Sequence, residues 1–81
     1  MSKRLPQTVE VQVRQDGLPG GLRWAGRRIG IRRVFDDWEE AGCWWLQEEP
    51  RQVYRVVGDN GVAYELHHQA SSGWRLYRVF D

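Results

Sequence analysis

The stretch IRRVFD at residues 31–36 returns as LYRVFD at residues 76–81, identical in its last four letters. A phrase used twice in so short a chain suggests two segments doing one structural job. Before the first copy, TVEVQVRQ (residues 8–15) alternates, with Val9, Val11 and Val13 on one side and Glu10, Gln12 and Arg14 on the other. That period of two is the signature of a half-buried strand. DGLPGG (16–21) breaks the pattern with three glycines and a proline. Leu22 and Trp24 alternate again, Ala25-Gly26 reads as a tight turn, and Ile29 and Ile31 continue on a return strand. The next aliphatic residue is Val34 rather than Arg33, so a bulge or bend near Arg32-Arg33 is needed to restore the facing.

Beyond the first copy, DDWEEAG (36–42) has a different period. Asp36 can cap, Glu39 stands three residues later and Gly42 can stop the run, a capping-box pattern for a short helical turn. CWWLQEEP (43–50) reads as a loop. In the second half, QVYRVV (52–57) and VAYELHH (62–68) flank the hairpin signal GDNG. SSG marks a further turn, and WRLYRVFD closes the chain. Each RVFD thus ends a three-strand meander. The expected fold is all-β: a small six-stranded antiparallel barrel or strongly bent sheet, SH3-like or OB-like, with one short helical turn near 36–42. Residues 1–7 are expected to form a flexible tail and residues 8–81 a single domain.

With 81 residues, the chain makes one domain with a small core. Five tryptophans, three tyrosines and two phenylalanines compensate, since a buried ring removes roughly 150–250 Å² from water. The single cysteine, Cys43, excludes an internal disulfide. No apolar run approaches the roughly 20 residues of a membrane span, and none resembles a signal peptide. A cytoplasmic location is expected. The net charge of +1 conceals a division. Residues 1–35 hold eight basic and two acidic side chains, whereas residues 36–50 hold six acidic and none basic. The two blocks either satisfy each other in the fold or present two poles to a partner.

Catalytic and metal signals are weak. Asp36, Asp37, Glu39 and Glu40 are crowded, but acid–base work needs carboxylates in contrasting environments within a cleft. His67 and His68 are adjacent on a strand and point to opposite faces, so they cannot ligate one metal together. GDNG lacks the lysine of a phosphate loop. No enzyme activity, metal or cofactor is expected. Two recognition surfaces are. Trp44-Trp45 in an extended segment cannot both enter the core, which makes Trp38, Trp44, Trp45, Glu39 and Glu40 a candidate surface for a protein partner. Arg23, Arg27, Arg28, Arg32 and Arg33 interleave with aromatic residues and form the alternative, a surface for single-stranded nucleic acid.

One wider pattern joins these pieces. Trp24-x-Gly26, Ile29-x-Ile31-x-x-Val34-x-Asp36-x-Trp38 and Gly42-x-Trp44-Trp45 are followed by Val53-Tyr54-Arg55-Val56, Gly61-x-x-Tyr64-Glu65-Leu66 and Gly73-Trp74-x-Leu76. This order resembles a family of small uncharacterised bacterial proteins. It also looks like the C-terminal region of the catalytically inactive Y-family polymerase-like subunit of the bacterial mutasome. The resemblance implies a non-enzymatic accessory role in DNA-damage tolerance or translesion synthesis, with replication or repair proteins as partners. It carries over no catalytic residue.

Overall fold

The computed structural model describes residues 5–42 and 44–80, with Trp44 described in its backbone alone. Its strands are β1 (Gln7–Thr8), β2 (Glu10–Val13), β3 (Pro19–Trp24), β4 (Arg27–Glu40), β5 (Arg51–Gly58), β6 (Ala63–Gln69) and β7 (Gly73–Phe80), with one 3₁₀ turn at Trp44–Leu46. They form one antiparallel sheet in the order β1-β7-β6-β5-β4-β3-β2, curled into a half-barrel. The all-β expectation holds: the first RVFD lies on β4 and the Arg78-Val79-Phe80 of the second on β7, each the last strand of its meander, while Asp81 lies outside the described residues.

The seventh strand comes from the N-terminal segment, which serves both edges of the sheet. Gln7 and Thr8 pair with Leu76 and Arg75 of β7, and the Val9 amide donates to the Trp74 carbonyl at 3.2 Å. The same segment then pairs through Glu10–Val13 with β3. Gln7 belongs to the sheet, its Oε1 accepts from Trp24 Nε1 at 2.8 Å, and Leu5 packs against the core.

Two expected local structures fall elsewhere. The helical turn is not at 36–42: β4 continues through Glu40, and the turn lies at Trp44–Leu46. Cross-strand pairing of Asp36 with Arg55, Trp38 with Val53 and Glu40 with Arg51 outcompetes the local cap. The break at DGLPGG is also shorter than it reads, because Pro19, Gly20 and Gly21 open β3. Proline is tolerated as the first residue of a strand. Gly20 and Gly21 lie beneath the side chains of Arg14 and Gln12, which would have to shift to admit a Cβ.

The bulge expected near Arg32 is present, and a second follows at Phe35. The register of β4 on β5 slips between Ile31 and Arg33 and again between Val34 and Asp36. Leu22, Ile29, Val56, Tyr64, Leu66 and Leu76 are buried on the concave side, with Val34 and Val79 packed against them. In both copies of RVFD, therefore, the valine turns inward and the phenylalanine stays exposed. Fully burying each aliphatic side chain contributes about 1.5–3 kcal/mol.

Candidate interaction surfaces

The convex face carries a polar network built from alternate residues of neighbouring strands. Glu65 and His67 are two apart on β6 and share its outer face. Both are buried, and His67 Nε2 lies 2.8 Å from Glu65 Oε2. Arg55 Nε donates to Glu65 Oε1 at 3.2 Å from the adjacent strand. On the other side, Arg51 Nη1 is 3.5 Å from His67 Nδ1 and donates to the Tyr77 hydroxyl at 3.2 Å. Arginine can only donate, so in the neutral tautomer that accepts from Arg51 at Nδ1 the Nε2 proton faces Glu65. Arg51 Nε also pairs with Glu40 at 3.5 Å.

Rings cover this chain of charges. Tyr77 stacks on His67 at 3.6 Å between centroids, with the ring planes nearly parallel. A slip of register between Glu65 and Leu66 makes Tyr77 the extra residue of β7, which aims its ring over His67. The Arg55 guanidinium lies 5.0 Å from the Trp38 ring and 5.7 Å from that of Phe80. Burial by itself would raise the Glu65 pKa. The hydrogen bonds from His67 and Arg55 and their charges outweigh it, holding the carboxyl below its ordinary value. Both carboxylate oxygens and both ring nitrogens have partners, so the network ties the outer faces of neighbouring strands together.

The structure distributes the expected partner-binding residues unevenly. Trp38 is half-buried, with Nε1 donating to Glu40 Oε1 at 3.2 Å. Trp38 and Glu40 thus belong to the convex network, whereas Glu39 is exposed. Trp45 and its neighbour Leu46 are exposed to 67% and 64% at the tip of the β4–β5 loop. The Trp44 side chain lies outside what the structure describes. Behind the tip the loop is strapped to the β6–β7 turn. Glu49 Oε1 accepts from the Ser71 hydroxyl at 2.6 Å and its amide at 2.9 Å, and the Glu49 carbonyl accepts from Gln69 at 3.1 Å. The side-chain and then the backbone bond from Ser71 lower the Glu49 pKa.

The five candidate arginines are all exposed. Arg23 and Arg28 are direct cross-strand partners, and Arg27 faces Trp24 at the turn. Arg32 is the first bulged residue of β4, and Arg33 stands opposite Val57. Arg23 and Arg28 line a cleft of about 510 Å³ with Gln12, Ser72, Trp74 and Glu10, at the seam where the N-terminal segment passes from β7 to β3. Like charges directly opposite repel. Glu10, 4.0 Å from Arg23, offsets part of that. No residue of the convex network lines this cleft.

Sequence reasoning missed Arg51, Arg55, Glu65, His67 and Tyr77. The spacing Glu65-x-His67 on a strand was the available signal, since it places an acid and an imidazole on one face. Among the described residues, no group of three or more His, Cys, Asp or Glu side chains could hold a metal ion, and no helix is long and apolar enough to cross a membrane.

These features define a small curled β module with a polar convex face and an exposed apolar loop tip. The chain matches the family described as domain of unknown function DUF6504 over residues 2–81 and belongs to it. Neither the curated proteins nor the solved structures contain a match.

Proposed function

We propose that this protein is a non-enzymatic interaction module that presents Trp45 and Leu46 to a protein partner. The observation that carries the reading is two adjacent large apolar side chains, each about two-thirds exposed, on a loop held in place by Glu49. Exposing them costs solvation free energy, whereas a rigidly presented tryptophan loses little entropy on docking. Glu39 and Glu48 are exposed nearby and make no ion pair among the described residues. The complementary partner surface is an apolar socket rimmed by basic residues. The sequence resemblance suggests that this partner belongs to the DNA-damage-tolerance machinery. Titration against purified replication and translesion proteins tests this, with Trp45→Ala as control. The reading expects binding that the folded variant weakens at least about 30-fold, the size of a hot-spot loss of about 2 kcal/mol. Binding unaffected by Trp45→Ala rules it out.

A second reading rests on the seam cleft, where two arginines stand beside Trp74. A base stacked on the indole with its phosphate on Arg23 and Arg28 is the chemistry of single-stranded nucleic-acid binding. It predicts affinity for an oligonucleotide that falls steeply with salt and is lost in Arg23→Ala/Arg28→Ala. No binding at low salt removes it.

A further inference from the structure

Strand β4 carries its charges in two blocks: Arg27, Arg28, Arg32 and Arg33 come first, and Asp36, Asp37, Glu39 and Glu40 follow. They do not satisfy each other. Ion pairs among the described residues join Arg14 to Asp16, Arg23 to Glu10, Arg51 to Glu40, and Arg55 and His67 to Glu65. None involves Arg32, Arg33, Asp36 or Asp37. The ladder between β3 and β4 ends at Gly30, and that with β5 begins at Ile31. Along residues 32–40, the edge of β4 away from β5 therefore has no described strand beside it.

We propose that this edge is the contact between two copies of the chain, docked antiparallel about a two-fold axis near Val34. A two-fold contact needs a surface complementary to itself. The order Arg32-Arg33-Val34-Phe35-Asp36-Asp37 has that property, because reversing the strand exchanges the positive end with the negative end. Arg32 then meets the partner's Asp36, and the axis repeats the ion pair. The bulges support this register. Arg32 and Arg33 together oppose Val57, and Phe35 and Asp36 together oppose Arg55, so the irregularities are symmetric about Val34. Phe35, 44% exposed, comes beside the partner's Arg33, a cation–π arrangement. Charges and bulges ordinarily keep sheet edges apart. On this edge the antisymmetric charge order makes the antiparallel encounter attractive.

The surface is separate from Trp45 and Leu46, and its test is charge exchange. Sedimentation equilibrium should show a dimer at low salt that weakens about tenfold or more at high salt, as exposed ion pairs are screened. Arg32→Glu/Arg33→Glu makes the edge wholly acidic, and Asp36→Arg/Asp37→Arg makes it wholly basic. Each variant, verified as folded by circular dichroism, should be monomeric. An equimolar mixture of the two should form a heterodimer. A wild-type chain that stays monomeric at low salt overturns the proposal. So does a dimer that survives either double reversal, one abolished by Trp45→Ala alone, or a mixture of the folded variants that does not associate.

Discussion

His67 Nε2 meets Glu65 Oε2 at 2.8 Å on the convex face of β6, with both side chains buried. Small β domains commonly leave one sheet face to solvent. This one covers its outer face with charges that satisfy one another under Tyr77, Trp38 and Phe80. Val53 is fully buried on that side, with His67 and Trp38 as its cross-strand neighbours.

The first prediction concerns Glu65. Glu65→Ala leaves Arg55 and His67 without their acceptor and should cost about 3 kcal/mol, as when one partner of a buried pair is removed. The folded carboxyl titrates below its ordinary value. Its stabilisation is therefore fully present above that ordinary value and is lost as pH falls through the lower, folded one. Urea unfolding from pH 7 to pH 2 should show an acid decline that Glu65→Gln flattens. An unchanged acid limb in the variant would refute the assignment.

A second prediction concerns the β3–β4 turn. Ala25 has φ of 55° and Gly26 has φ of 74°, the pattern of a two-residue hairpin turn that favours Asn-Gly. The alanine Cβ is disfavoured there. Ala25→Asn should stabilise the protein by about 0.5–1 kcal/mol, read as a higher urea midpoint at constant slope. A lower midpoint would contradict the turn geometry.

That turn, the GDNG hairpin and the slip of alternation at Arg32 were legible because each depends on neighbouring residues. Asn60 shows the locality: its Oδ1 accepts from the Val62 amide, and its Nδ2 donates to the Tyr64 hydroxyl at 2.9 Å. The stretch from Asp36 to Glu40 was misread because its conformation is decided by β5, distant in sequence. The convex network was illegible for a similar reason. Glu65 and His67 are neighbours on one strand, but Arg51, Arg55 and Tyr77 join them only through the register of three strands. Of the proposed partner surface, the composition of the loop suggested an exposed tryptophan, and the fold distinguishes exposed Trp45 from Trp38 beneath Arg55.

The strap behind the loop yields a third prediction. Ser71→Ala removes the hydroxyl that does most to lower the Glu49 pKa, so this carboxyl should titrate at higher pH in the variant. Carbon-detected NMR titration of Glu49 measures the shift. Faster amide exchange across residues 44–49 should accompany it, since the hydroxyl bond of 2.6 Å is one of the loop's anchors. A Glu49 titration identical in both proteins would remove the strap.

The fourth prediction separates the loop's presentation from its contact residues. A Cβ on Gly42 would run into the backbone of Glu48 and Glu49, which cannot rotate away. Gly42→Ala should therefore displace the loop and destabilise the fold by about 1–3 kcal/mol, the usual cost of overpacking. Trp45→Ala removes an exposed ring but leaves Gly42 and the Glu49 strap in place. The two variants should nevertheless agree in binding, because one removes the anchor and the other its placement. If Gly42→Ala unfolds at the wild-type midpoint with wild-type amide exchange in the loop, the close packing of Gly42 on Glu48 is wrong. If it loses stability but binds the partner with unchanged affinity, Trp45 and Leu46 do not depend on a fixed loop to be recognised.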